Sequence, residues 1–319
     1  ASSSAAWHPD RPHPQRPTRH HPSSPLSRKH TMKSFKNKVA AITGASSGMG
    51  RTLAIELARR GCHLALSDVN ETELAKTAEL AGQHGVRVTI AKVDVSNRDA
   101  MFAWADQARK DHGQVNLIFN NAGVALTVPL EHVKISDFEW IMGINFWGVV
   151  HGTQAFLPHL KASGDGHVIN TSSLFGLISI PTQGTYNASK FAVRGYTEAL
   201  RMEMEMEGLG VSATCVHPGG IATNIAMAGK VDPIMEKLTG ASIETHKRRA
   251  NKLINNTTAE SAALQILKAV ENNERRVLVG NDAKFLDKLV RLLGASYQAL
   301  VVRQFTKMQA KSKSGTLKI

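Results

Sequence analysis

The sequence predicts an α/β fold: a single doubly wound domain, with a parallel sheet of about seven strands and helices on both faces. Three observations carry this. Short apolar runs alternate with amphipathic helical stretches, roughly every 25–30 residues, from Met32 to about residue 280. The runs are continuously apolar rather than alternating, as burial on both faces of a parallel sheet requires. A glycine-rich turn follows the first run and opens the first helical stretch.

The elements follow in order. VAAIT (39–43) reads as a buried strand. Residues 50–60 read as a helix, with Leu53, Ala54, Leu57 and Ala58 at three-to-four spacing. LALS (64–67) is the second strand, and a helix over 70–84 ends at Gly85. A third strand lies within VRVTIAKVD (86–94), followed by a helix over 97–112 that stops at Gly113. VNLIFN (115–120) is the fourth strand. A helix starts near Ser136, with Asp137 in its first turn and Pro158 near its end. HVINTS (167–172), a long helix over 185–207 and VSATCVH (211–217) come next. A helix from about Thr258 and the short strand VLVG (277–280) close the series.

TGASSGMG (43–50) joins the first strand to the first helix. Gly44, Gly48 and Gly50 are spaced G-x-x-x-G-x-G, with Ser46, Ser47 and Met49 between them. Glycine lets the backbone turn sharply and approach a pyrophosphate, whose charge is favoured at a helix N-terminus. Its position between a strand and a helix points to a dinucleotide site, against a plain flexible strand–helix turn. Asp68 closes the second strand, 20 residues after Gly48. An acidic side chain there accepts hydrogen bonds from the adenosine ribose and repels a 2′-phosphate. No Arg or Lys stands at 46, 47 or 69, so NAD is the expected cofactor; Arg51 leaves NADP open. Asp94 and Val95 end the third strand, where they would bracket an adenine ring. NNAG (120–123) ends the fourth and brings Asn121, Ala122 and Gly123 to the same edge.

Together these pieces resemble the short-chain dehydrogenase/reductase family, over roughly Phe35 to Gly280. The resemblance rests on TGASSGMG, Asp68, Asp94–Val95, NNAG, Asn145 within GINFWG, INTSS, YNASK and HPGGIAT, in family order. It implies an oxidoreductase moving a hydride between a nicotinamide cofactor and a secondary alcohol or ketone. Tyr186 is then the acid–base residue. The family spacing of 13 residues selects Ser173, not Ser172, as its partner. Lys190 is implied to hold the nicotinamide ribose, Asn145 to hold a water beside that lysine, and hydride to reach the B face. In HPGGIAT, Pro218 and Gly219 impose a turn beside the cofactor, the Ile221 backbone is placed to bind the carboxamide, and Thr223 to reach a phosphate or the carboxamide.

The residues themselves carry part of this. Tyr186 and Lys190 are four apart on a helix, so they share a face. A free tyrosine titrates near pH 10, about three units above neutrality. A nearby ammonium favours the phenolate, so Lys190 is expected to lower the Tyr186 pKa. Ser173 lies just past a strand, at the carboxyl edge where open sheets bind ligands. Weighed against this enzyme is a catalytically silent dinucleotide-binding regulator or scaffold on the same fold, and an epimerase or dehydratase.

The remaining features bound the rest. Residues 224–257 are expected to form a substrate lid within a catalytic domain of residues 32–280. The apolar Leu174, Phe175, Leu177 and Ile178 near the serine point to an apolar substrate. Lys247, Arg248 and Arg249 read as a solvated face rather than a carboxylate anchor. The net charge of +13 is terminal: residues 1–31 carry five Lys/Arg and one Asp, residues 32–229 carry 17 of each sign, and residues 230–319 carry 17 Lys/Arg and eight Asp/Glu. Without interleaved aromatics or a recognisable module, this excess predicts no nucleic-acid partner. Residues 1–31, rich in Ser, Pro, His and Arg, are expected to be a disordered extension ahead of Met32. Residues 281–319 form an amphipathic helical extension with a basic tail. Packing on the body or on a neighbouring subunit is preferred for it over a membrane surface. Cys62 and Cys215 lie in apolar runs, which fits buried thiols, a reducing compartment and the cytoplasm. No metal site is expected. Family likeness implies a homodimer or homotetramer through the helices around 136–160 and 185–207.

Overall fold

The computed structural model describes residue 32 and residues 34–313; the expected N-terminal extension lies outside the described residues. The elements run β1 (Val39–Thr43), α1 (Gly48–Arg59), β2 (His63–Asp68), α2 (Glu71–Gly82), β3 (Val88–Lys92), α3 (Arg98–His112), β4 (Leu117–Asn120) and β5 (Leu126–Thr127). Next come α4 (Ile135–Met142), a π turn over Gly143–Trp147, α5 (Gly148–Ser163), β6 (Gly166–Thr171), α6 (Gly184–Glu207) and β7 (Val211–Pro218). Then α7 (Ile225–Ala228), β8 (Lys230–Val231), α8 (Ile234–Thr239), α9 (Ile243–Ile254), α10 (Ala259–Glu271), β9 (Arg276–Val279), α11 (Asn281–Leu293) and α12 (Tyr297–Lys313) complete the chain.

Seven strands form one parallel sheet in the order β3-β2-β1-β4-β6-β7-β9. Every residue of β1, β4, β6 and β7 is buried, which explains their unbroken apolar runs. One face is covered by α1 and α10, through Leu53, Leu57, Ala262 and Ile266. The other is covered by α3, α5 and α6; there Trp104 meets Phe156 edge-on, ring centres 4.9 Å apart. Helix starts are set by side chains that accept orphan N–H groups: Asn70 from Glu73, Asn97 from Ala100 and Thr258 from Ser261. Winding reverses between β1 and β4, so a crevice opens beyond their carboxyl ends, at Thr43 and Asn120.

Two features depart from the sequence reading, and a third falls within the placement it preferred. The helix expected from Ser136 is broken by the π turn, which contains Asn145. The region expected as a lid holds α7, α8 and α9 and also the strand β8, which pairs with β5. The C-terminal segment docks on its own body: Leu286, Val290 and Tyr297 pack on Leu174, Leu177 and Ile178, and α12 lies against α8. No helix among the described residues is long and apolar enough to cross a membrane.

Candidate active site

The glycine turn has a backbone that only glycine accommodates, at the place expected for a pyrophosphate. Gly44 and Gly48 have φ of +66° and +51°, a region that side-chain-bearing residues rarely adopt. A Cβ on Gly50 would fall 2.1 Å from the Gly44 carbonyl oxygen, and one on Gly44 would fall 2.8 Å from the Ala122 Cα. At the start of α1, the Ser47 side chain makes no capping bond and the first turn carries no acid. The first N–H groups of this helix are therefore available to an anion. Asn121 braces the turn from β4 by donating to the carbonyls of Thr43 (3.1 Å) and Gly44 (3.3 Å). The Thr43 hydroxyl accepts from the N–H of Asn121 and of Ala122. Thr223 closes the cradle: its side chain lies 3.1 Å from where a Gly48 Cβ would be.

At the ribose end, Asp68 Oδ2 accepts from the buried Ser46 N–H (3.0 Å) and Oδ1 from Asn70 N–H (3.0 Å). Each oxygen keeps a lone pair for a ribose hydroxyl. The Arg51 guanidinium is committed elsewhere. It donates to Thr77 Oγ1 (2.9 Å), Glu73 Oε2 (2.7 Å), the Glu73 carbonyl and the Ser46 carbonyl. The opening for NADP that the sequence left at Arg51 is therefore narrower than expected. Asp94 is exposed and accepts from the Ser96 N–H and hydroxyl. Val95 instead turns its side chain into the core against Gly148, where a Cβ would lie 2.6 Å from Val95 Cγ2. It offers an adenine only backbone.

The catalytic candidates converge beyond β4, β6 and β7. Ser173 Oγ accepts from the Phe175 N–H (3.0 Å), which leaves its own proton free to donate. Ser172, buried, donates to the Lys190 carbonyl (2.8 Å) and so supports α6. Lys190 is buried and donates to the Thr171 carbonyl (3.0 Å); its Nζ lies 5.7 Å from the centre of the Tyr186 ring. Gly123 lets these groups meet: a Cβ there would lie 3.2 Å from Asn145 Oδ1 and 3.4 Å from Lys190 Nζ. The Asn145 side chain accepts from Val124 N–H and donates to the Val124 carbonyl and to Ser189 Oγ. Both of its amide hydrogens are thus spent on protein.

The electrostatics correct one expectation. Burial raises the Tyr186 pKa, and the Ser173 hydrogen bond offsets this only in part. The reason is that burial disfavours the charged phenolate; the Lys190 ammonium is bound to the Thr171 carbonyl. Burial likewise pushes Lys190 down to about 8. In the unfolded chain this lysine keeps its proton to about 10.4. Between those values the unfolded state holds more protons, so stability rises with pH. Replacing Lys190 with Met therefore stabilises the fold below about pH 8. The gain shrinks as pH climbs toward the unfolded value. Urea denaturation of both proteins across pH 7–10 reads this out; a gain that grows with pH contradicts it.

The apolar residues after Ser173 are not the substrate wall the sequence suggested. Leu174, Leu177 and Ile178 are buried beneath Leu286, Val290 and Tyr297. The Tyr297 hydroxyl accepts from Ser179 N–H (3.0 Å), pinning the segment. Only Phe175 faces the site, its ring perpendicular to Tyr186 at 6.2 Å. Tyr186, Val124, Val133, Trp140 and Ile234 all pack against a buried cluster of Leu126, Val128 and Ile141 that the sequence did not expose. Lys230 on β8 lies 3.7 Å over the Trp140 ring and fastens the lid there. Lys247 donates to the Met227 carbonyl and Arg248 pairs with Glu244. His217 is buried, its Nδ1 2.8 Å from the Ser173 carbonyl; burial lowers its pKa to about 4, so it is neutral.

Comparison with known proteins agrees with this geometry. Residues 38–232 match the family described as short chain dehydrogenase. SadH of Mycobacterium tuberculosis, described as an oxidoreductase, is 47% identical over 270 residues, which cover 85% of this chain and 96% of SadH. A short chain dehydrogenase/reductase from Burkholderia phymatum, solved in complex with NAD, superposes with a TM-score of 0.75 at 33% identity, covering 82% of this chain and 95% of that one. Levodione reductase gives a TM-score of 0.68 at 25% identity, covering 78% and 99%.

Proposed function

Because this chain belongs to the short-chain dehydrogenase/reductase family, we propose that it is an NAD-dependent oxidoreductase interconverting an apolar secondary alcohol and its ketone. The observation that carries this is the meeting of Ser173, Tyr186 and Lys190 at the carboxyl edge of the sheet, beside the glycine cradle. A bound nicotinamide cofactor supplies or accepts the hydride. In reduction, the protonated Tyr186 hydroxyl gives its proton to the carbonyl oxygen. Ser173, which gives its hydroxyl proton to Tyr186 in the free site, turns it to the same oxygen as negative charge develops. Lys190 keeps two N–H donors beyond the Thr171 carbonyl, and by the family resemblance these hold the cofactor ribose. Asn145 fixes the backbone of Val124 opposite Lys190. In oxidation the proton returns to Tyr186.

Asp68, with Arg51 tied to Glu73, supports NAD over NADP. Phe175 against Tyr186, and the apolar cluster of Leu126, Val128 and Ile141 on which Tyr186 packs, support an apolar substrate. A solved neighbour named for the reduction of levodione is in line with a carbonyl substrate. Trp147, Met202 and Met206 are more than half exposed on or beside the helices expected to join subunits, which supports a homo-oligomer. The test is ketone-dependent loss of NADH absorbance over a panel of cyclic and aromatic ketones, with NADPH alongside. Turnover with NADH is expected; turnover only with NADPH contradicts the cofactor assignment.

A further inference from the structure

We propose that Asp282 is a positioning residue for the nicotinamide end of the cofactor site; this rests on the dinucleotide reading above. Asp282 lies in the first turn of α11, outside every motif that the family resemblance rests on. Its Oδ2 accepts from the Gly220 N–H (2.7 Å) and from Asn256 Nδ2 (3.3 Å). The carboxylate sits directly over the turn after β7. A Cβ on Gly219 would fall 2.3 Å from Asp282 Oδ1, so only glycine fits there.

The opposite side of the same peptide is held by the end of the lid. The Gly220 carbonyl accepts from Thr257 N–H (3.0 Å), and Ala222 N–H donates to the Thr257 carbonyl (2.8 Å). Ile221 and Thr257 thereby form an isolated parallel bridge. Gly220 is thus clamped through its N–H by a carboxylate and through its carbonyl by the lid. A charge-assisted bond to a buried N–H is the strong kind, and its loss leaves that donor unpaired. Downstream of this clamp the chain runs through Ile221 to Thr223, whose side chain touches Gly48 of the cradle. Asp282 therefore fixes where Ile221 and Thr223 stand. It joins three parts in one contact: the cofactor turn, the lid end through Asn256, and the C-terminal segment.

A residue that merely closes the body would affect all ligands alike. A residue that sets the nicotinamide end would not. The full chain is titrated with NADH and with ADP-ribose, which fills the adenosine and pyrophosphate half and lacks nicotinamide. Asp282→Ala is expected to weaken NADH binding by about tenfold, the loss of one charge-assisted hydrogen bond, and ADP-ribose by no more than about twofold, since Thr223 also touches the cradle. Asp282→Asn, which keeps an acceptor for Gly220, is expected to restore NADH binding to within about twofold. Should the alanine variant not fold, Asp282→Ser is read in the same way. Equal weakening of both ligands, or unaltered NADH binding in Asp282→Ala, overturns the proposal. A wild-type chain that binds neither ligand overturns the dinucleotide reading itself, and this proposal with it.

Discussion

Tyr186→Phe lowers kcat for carbonyl reduction by about a thousandfold, the middle of the range for losing a positioned general acid. NADH affinity stays within about twofold, because the change removes one oxygen and no packing. The ring keeps its contact with Phe175, at 6.2 Å, and its packing on Leu126, Val128 and Ile141. Lys190 keeps its bond to the Thr171 carbonyl, so the cofactor side is undisturbed. The raised Tyr186 pKa sharpens the prediction, since it keeps the proton in place at neutral pH for delivery to a carbonyl. Steady-state kinetics with an NADH fluorescence titration checks it. A variant within tenfold of wild-type kcat would remove Tyr186 from the chemistry.

The second large effect concerns the cofactor. Asp68→Ala shifts the NADPH-to-NADH affinity ratio upward by about a hundredfold, as expected when a carboxylate within a few ångströms of a 2′-phosphate is removed. The neighbouring groups make a second step available. Glu73 holds Arg51, and Lys76 and Arg51 keep the Glu73 carboxyl below its usual range. Arg51 also donates to the carbonyl of Ser46, whose N–H is bound by Asp68. The guanidinium is thus one residue away from the ribose pocket, and Glu73 restrains it. Adding Glu73→Gln to Asp68→Ala releases Arg51 and raises the ratio further. Kd values for both cofactors decide this; an unchanged ratio in Asp68→Ala contradicts the ribose role.

What was legible in the sequence is what local patterns encode. VAAIT matches β1 residue for residue, because burial on both faces demands an unbroken apolar run. The four-residue step from Tyr186 to Lys190 gave their shared helix face, but not the sign of the tyrosine shift. That sign depends on desolvation by residues remote in sequence. The π turn at Gly143–Trp147 adds one residue to a helical pattern and leaves no clear break in its periodicity. β5 and β8 are two residues each and exist only because they pair with each other. Leu174, Leu177 and Ile178 are equally apolar whether they face a substrate or α11, so composition misplaced them. Asp282 reaches Gly220 across 62 residues, a contact no motif marks.

The most direct test of the central claim follows the hydrogen itself. A ketone that supports turnover is reduced with NADH carrying deuterium on both faces of nicotinamide C4, in ordinary water, and the alcohol is examined by NMR. Direct hydride transfer with Tyr186 supplying the proton places deuterium on the carbinol carbon and solvent hydrogen on its oxygen. An alcohol whose carbinol carbon carries hydrogen from water instead would contradict the account.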